Sequence, residues 1–117
     1  MLENYLLKKV HVQIDRPLGS RHPEYPELIY PVNYGFLPGT VSGDGEEIDA
    51  YVLGEFAPLT EFDGVVIAVI RRKNDTEDKL VAADRPGRYD RRQIAALVEF
   101  QERFFESKVV MPEDWAG

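Results

Sequence analysis

Val10, Val12 and Ile14 alternate with His11, Gln13 and Asp15, the two-residue period of a half-buried strand that leaves Asp15 on the polar face. Residues 16–27 carry Pro17, Gly19, Pro23 and Pro26 among several charges and predict a loop, after which residues 28–30 resume an extended run. An aromatic-rich piece, residues 32–37, lies between Pro31 and Pro38-Gly39 and reads as a short strand near a turn. Residues 42–47 have loop chemistry, and residues 50–53 are a short apolar run. The continuous β-branched stretch 64–70 suits a strand buried on both faces better than a helix of that length. Residues 79–83 form another strand after the polar turn 73–78.

One helix is predicted, near the end. Asp90 with Gln93 three residues later resembles a capping box, and Ile94, Leu97, Val98 and Phe105 share one face at spacings of three, four and seven. By Pro112 the helix is finished, and Trp115 anchors a short tail. Several short strands followed by one helix predict a mainly β (α+β) domain, a small curled sheet or barrel with the helix packed against it. Closure into a barrel is favoured because it removes edges that the sequence does little to protect.

Composition narrows the class. A chain of 117 residues with 44% hydrophobic and 11% aromatic content can bury one core and is read as a single domain, 1–117. No run approaches the roughly 20 apolar residues that span a bilayer, and residues 1–9 lack a secretion signal, so a cytoplasmic protein with no membrane partner is expected. Without cysteine, any metal must be held by oxygen or imidazole. A formal charge of −7 opposes binding to nucleic acid. An acidic protein still binds small phosphorylated anions when divalent cations sit between its carboxylates and the ligand.

Asp44, Glu46, Glu47 and Asp49 crowd together with no Lys or Arg between Val41 and Glu55. Such a cluster is either a solvated acidic turn or a site for hard divalent ions, magnesium above all. The glycine and Ile48 positions exclude an EF-hand, and neither a Walker motif nor H-E-x-x-H is present. Directly upstream lies Tyr30-Pro31-Val32-Asn33-Tyr34-Gly35-Phe36, with Asp44 ten residues after Tyr34.

Those two linked motifs resemble the soluble, single-domain inorganic pyrophosphatases, whose pattern is Y-P-x-N-Y-G followed by D-G-D-P-x-D; here the second reads Asp44-Gly45-Glu46-Glu47-Ile48-Asp49. The resemblance implies a closed OB-type barrel, a homo-oligomer, and Mg2+-dependent hydrolysis of pyrophosphate, with Mn2+ as a substitute. By the same resemblance Asp44, Glu46 and Asp49 hold metals and Glu46 accepts a proton from the attacking water. Asp15 inherits an acidic active-site role at the end of the first strand. Asp75, Glu77 and Asp78 are candidates for further metal ligands, and Lys79 and Tyr34 bind phosphate oxygens. Phe104-Phe105-Glu106-Ser107-Lys108 resembles the family's F-F-E segment, with Lys108 matching a phosphate-binding lysine and no tyrosine beside it.

The departures are specific. Glu46 replaces an aspartate and Glu47 a proline, and the 14 residues between Asp15 and Tyr30 leave no room for the usual hairpin with its lysine and arginine. Arg16 and Arg21 are the replacement cations, while His22 is expected to be a loop hydrogen-bond partner. Two alternatives stand beside a pyrophosphatase: a metal-dependent hydrolase of another phosphorylated compound, and a non-catalytic metal-binding scaffold that kept the barrel.

Overall fold

The computed structural model describes residues 1–73 and 77–115. Its strands are β1 (Lys9–Arg16), β2 (Asn33–Leu37), β3 (Ile48–Val52), β4 (Glu61–Arg72), β5 (Lys79–Ala83) and β6 (Ser107–Val110), with one α-helix, α1 (Arg91–Glu102), between β5 and β6. The hydrogen-bonded order β1-β2-β3-β5-β4 closes through a β4–β1 pairing into a five-stranded barrel. β4 is long enough to do two jobs along one edge: Glu61 to Val65 pair with β1, while Val69 to Arg72 pair with β6. Its other edge pairs with β5. The expected barrel with one helix is therefore the observed one.

Alternation sorts the side chains into two cores. Val12, Ile14, Leu37, Ala50, Val52, Val66, Val69, Leu80 and Ala82 come from all five barrel strands and fill the interior. Their neighbours Tyr34, Tyr51, Leu53, Ile67, Ile70, Val81 and Ala83 face outward and pack with Ile94, Val98 and Phe100 of α1. This is why residues 64–70 read as unbroken hydrophobic: one face lines the barrel and the other lies under the helix. α1 begins at the expected capping box, with the Asp90 carboxylate accepting from Gln93 N–H and the Gln93 side chain accepting from Asp90 N–H.

The helix is shorter than its apolar spacing predicts. It ends at Glu102, so Phe105 is not on its face; Phe100 takes that buried place and Phe105 is partly exposed. Two elements carry no readable signal in the sequence. β6 is only four residues long, and the 3-10 turn Leu2–Tyr5 is held by buried Glu3, whose carboxylate accepts from the Arg71 guanidinium.

A bulge in β1 sets the direction of Arg16. Ile14 pairs with Gly35, but Arg16, not Asp15, pairs with Tyr34. Strict alternation would send Arg16 into the barrel beside Ile14; the extra residue turns it outward onto the same face as Tyr34. The strands approach so closely here that a Cβ on Gly35 would land on the Gln13 carbonyl and 2.9 Å from Ile14 Cα. Gly35→Ala is expected to lower stability by about 3 kcal/mol, the upper end for overpacking. Urea melts of the two proteins check this; an unchanged midpoint would show that the bulge can relax.

Candidate active site

Adjacent strands β2, β3, β5 and β4 each place polar side chains among the outward-facing apolar ones. β2 gives Tyr34, β3 gives Asp49, β5 gives Lys79 and β4 gives Arg72, while the β1 bulge adds Arg16. α1 covers this face only as far as Glu102. Beyond the helix end, and beneath the 17–28 loop, a cavity of about 720 Å3 opens, lined by all five of these side chains and by Glu77.

At its floor Lys79 Nζ donates to Asp49 Oδ2 at 2.7 Å and to Glu77 Oε1 at 2.6 Å. The ammonium side chain is only 3% exposed, so these carboxylates are what makes its burial tolerable. Tyr34 lies beneath, its ring 5.6 Å from Lys79 Nζ and 5.5 Å from the Arg16 guanidinium carbon. Burial and the neighbouring Asp49 charge push the Tyr34 phenol well above its ordinary value, so it remains a hydrogen-bond donor toward Asp49.

The two carboxylates are driven apart. Burial raises both, but the hydrogen bond shared with Glu77, together with the Lys79 charge and the Tyr34 hydroxyl, leaves Asp49 below its usual range. Glu77 is raised by burial and by that same contact with Asp49. Asp15, at the bulge, is raised by partial burial and by Asp49 and Glu47, against the Arg16 charge that lowers it.

A continuous hydrogen-bonded chain runs behind the cavity. Arg16 donates to Tyr30 Oη at 2.6 Å, Tyr30 Oη to Gln101 Oε1 at 2.7 Å, and Gln101 Nε2 to Tyr51 Oη at 2.8 Å. Tyr51 Oη donates to Glu102 Oε2 at 2.6 Å, and Arg72 donates to the Glu102 carboxylate at 2.8 and 3.1 Å. Two guanidiniums are thereby held at opposite ends of one buried network, Arg72 also stacking 3.6 Å from the Phe105 ring centroid.

Of the residues singled out from sequence, the structure brings Asp49, Lys79, Tyr34, Glu77 and Arg16 together. Asp44 and Glu46 lie on the exposed 42–47 turn. The Asp44 carboxylate accepts from Ser42 and from Glu46 N–H, which lower its proton affinity, whereas the Glu46 carboxylate has no hydrogen bond or ion pair among the described residues. Arg21 donates to Pro26 O at 2.8 Å within its own loop, and Lys108 sits on β6 in a separate groove. Asp78 accepts from Arg72 N–H at 3.0 Å and serves the β4 end. Asp75 lies outside the described residues. His22 is a loop partner as expected, its Nδ1 accepting from the N–H groups of Glu24 and Tyr25.

Sequence reasoning missed Arg72, Glu102, Gln101 and Tyr51. A signal was available for two of them: Gln101 and Glu102 fall seven and eight residues after Ile94, on the buried face of α1, where a polar residue needs a partner.

Comparison with known proteins decides the family. The inorganic pyrophosphatase family model matches residues 8–111. The chain belongs to the inorganic pyrophosphatase family. A soluble inorganic pyrophosphatase 2 from Chlamydomonas reinhardtii is 30% identical across 93% of this chain and 67% of its own length. Inorganic pyrophosphatases from Aeropyrum pernix and Saccharolobus solfataricus are 35% and 36% identical, over 61% and 62% of this chain. The chain spans only 39% and 40% of the length of those two curated relatives. Among solved structures, an inorganic pyrophosphatase from Neisseria gonorrhoeae aligns with TM-score 0.67 and 19% identity over 97% of this chain and 92% of its own. One from Ehrlichia chaffeensis gives TM-score 0.70 and 17% identity over 92% and 88%. At those identities the structures establish a shared fold, the family's barrel.

The donor set is chemically suited to a hard cation of the kind the family resemblance implies. Asp49 and Glu77 each turn one carboxylate oxygen onto the Lys79 ammonium, and their remaining oxygens are the ones that would hold such an ion. No group of three or more carboxylate or imidazole side chains is gathered among the described residues. A divalent ion held by one or two carboxylates would complete its shell with water and substrate oxygens, the usual habit of magnesium.

Removing the buried ammonium leaves Asp49 and Glu77 facing each other uncompensated. Lys79→Met is expected to cost about 2 kcal/mol at pH 7, below the 3–5 kcal/mol of a fully buried pair because both carboxylates keep some solvent. In that variant the folded state raises the proton affinity of the pair above its unfolded value, so the deficit shrinks as pH falls toward 5. Denaturant melts at both pH values check the sign; a deficit that grows on acidification contradicts the assignment.

Proposed function

We propose that the chain hydrolyses inorganic pyrophosphate to two phosphates with a divalent cation, magnesium or in its place manganese. The observation that carries this reading is the Tyr34, Asp49, Lys79 and Glu77 cluster at the cavity floor, which joins two family-motif positions, Tyr34 and Asp49, to Lys79 and Glu77. Phosphoanhydride hydrolysis needs charge neutralisation, positioning and an activated water, with little covalent work for the protein.

Each residue has a matching role. Lys79 and Arg16 oppose the charge of the phosphate oxygens, Lys79 being aimed by Asp49 and Glu77 and Arg16 by Tyr30. Tyr34 separates the two cations and fixes Asp49. Asp49 and Glu77 would hold the cation, with Asp44 and Asp15 as flanking carboxylates. A divalent ion bound there supplies charge neutralisation and acidifies water. Glu46, free at the tip of its turn, takes the proton of the attacking water. The reading extends to a homo-oligomer in the cytoplasm.

The experiment is phosphate release from pyrophosphate with magnesium, with and without EDTA. Turnover that EDTA abolishes is expected; no release at high enzyme concentration overturns the reading. Within it, Glu46→Gln keeps shape and removes the base, so kcat should fall about 10²-fold. Asp49→Asn should lose activity that high magnesium partly restores, because its role is ligation. Near-normal kcat for folded Glu46→Gln would pass the proton to Asp15 or Asp49.

A further inference from the structure

The cavity is larger than pyrophosphate requires. At about 720 Å3 it lies in the range of pockets that enclose a drug-sized organic molecule, and its two ends differ in chemistry. The floor holds Lys79, Arg16 and Arg72 with Asp49 and Glu77. The mouth is aromatic: Tyr25 comes from the 17–28 loop, and Phe104 and Phe105 from the turn after α1. These three side chains are 57%, 68% and 41% exposed, unusual for aromatics that no core needs.

The mouth is also built. The loop is pinned by an Arg21–Ile29 bridge and by His22 N–H donating to Leu28 O at 2.9 Å. The His22 ring lies 5.1 Å from Tyr25 and stacks at 6.2 Å on Tyr30, so Tyr25 is set against the network that fixes Arg16. Across the opening, Phe105 is held under the Arg72 guanidinium. Cations at depth and pre-set aromatic faces at the rim match a molecule with a diphosphate at one end and a planar ring at the other.

We propose that this site takes a nucleoside diphosphate, its phosphates toward Lys79 and Arg16 and its base against Tyr25, Phe104 and Phe105. The inference rests on the hydrolytic reading of the same site and widens its substrate class. Water oxygen bonds to the terminal phosphorus, and the bond from that phosphorus to the bridging oxygen breaks. The electron pair stays on the nucleoside monophosphate, and one water proton passes through Glu46 to solvent, leaving orthophosphate. Bases stack on aromatic side chains with energies that change affinity about tenfold or more, and without hydrogen-bond readout of the base.

The test compares phosphate release from pyrophosphate, ADP and isopentenyl diphosphate, with magnesium, for the native chain and a Tyr25→Ser/Phe104→Ser double variant. Both substituted positions are exposed, so folding, checked by circular dichroism, is expected to survive. ADP turnover is expected, with the ratio of kcat/KM for ADP to that for pyrophosphate falling about tenfold in the variant. Pyrophosphate cleaved without ADP overturns this inference and leaves the hydrolytic reading intact. ADP cleaved without pyrophosphate supports it and overturns inorganic pyrophosphate as the substrate. Isopentenyl diphosphate cleaved in preference to ADP, or an unchanged ratio in the variant, overturns the role of the aromatic rim.

Discussion

An ammonium group cannot be taken out of water unless anions meet it, and Lys79 is almost completely buried. That requirement organises the site. Asp49 on β3 and Glu77 just ahead of β5 are tied to the same nitrogen, and Tyr34 on β2 closes it from below. Three neighbouring strands are thus fixed in register by one charge as well as by their ladders. Both Lys79 contacts are to carboxylates, so a phosphate reaching this nitrogen must come in beside negative charge, which a divalent cation arriving with it would offset.

The barrel makes this possible by using both faces of its strands. A sheet buried on one side only would have to leave its other face polar, whereas here α1 packs on the outward apolar residues Tyr51, Ile67, Ile70 and Val81 as far as Glu102. The cavity lies on this same side, past the helix end. Its walls are consequently the shortened helix end on one side and the proline-rich loop on the other. The bulge at Asp15 belongs to the same design, because without the register shift Arg16 would be an unpaired cation inside an apolar barrel.

Much of this is legible from residue order. Alternation identifies β1, continuous β-branched sequence identifies β4 as doubly buried, and the Asp90-Gln93 box places the helix start. Tyr34 and Asp49 read as one site because two linked motifs specify positions that local patterns do not, and the family resemblance downstream adds Lys79, with Glu77 one of three candidate acids beside it. What stays hidden is long-range. Arg72 and Glu102 are 30 residues apart and meet only through folding. Phe105 continues the helical spacing yet falls beyond the helix, since periodicity says nothing about where a chain turns away. The acidic run 44–49 looks like a unit because its charges are adjacent in sequence. In the fold Asp49 belongs to the strand and the cavity, whereas Asp44 and Glu46 belong to the turn.

The central claim is that the diphosphate group lies on the outer face of the barrel at Lys79 and Arg16. A crystal structure with methylenediphosphonate and magnesium tests it most directly. Phosphonate oxygens within hydrogen-bonding distance of Lys79 Nζ and the Arg16 guanidinium are the expected result. The diphosphonate seated instead against Lys108, or on the 42–47 turn away from Lys79, would contradict it.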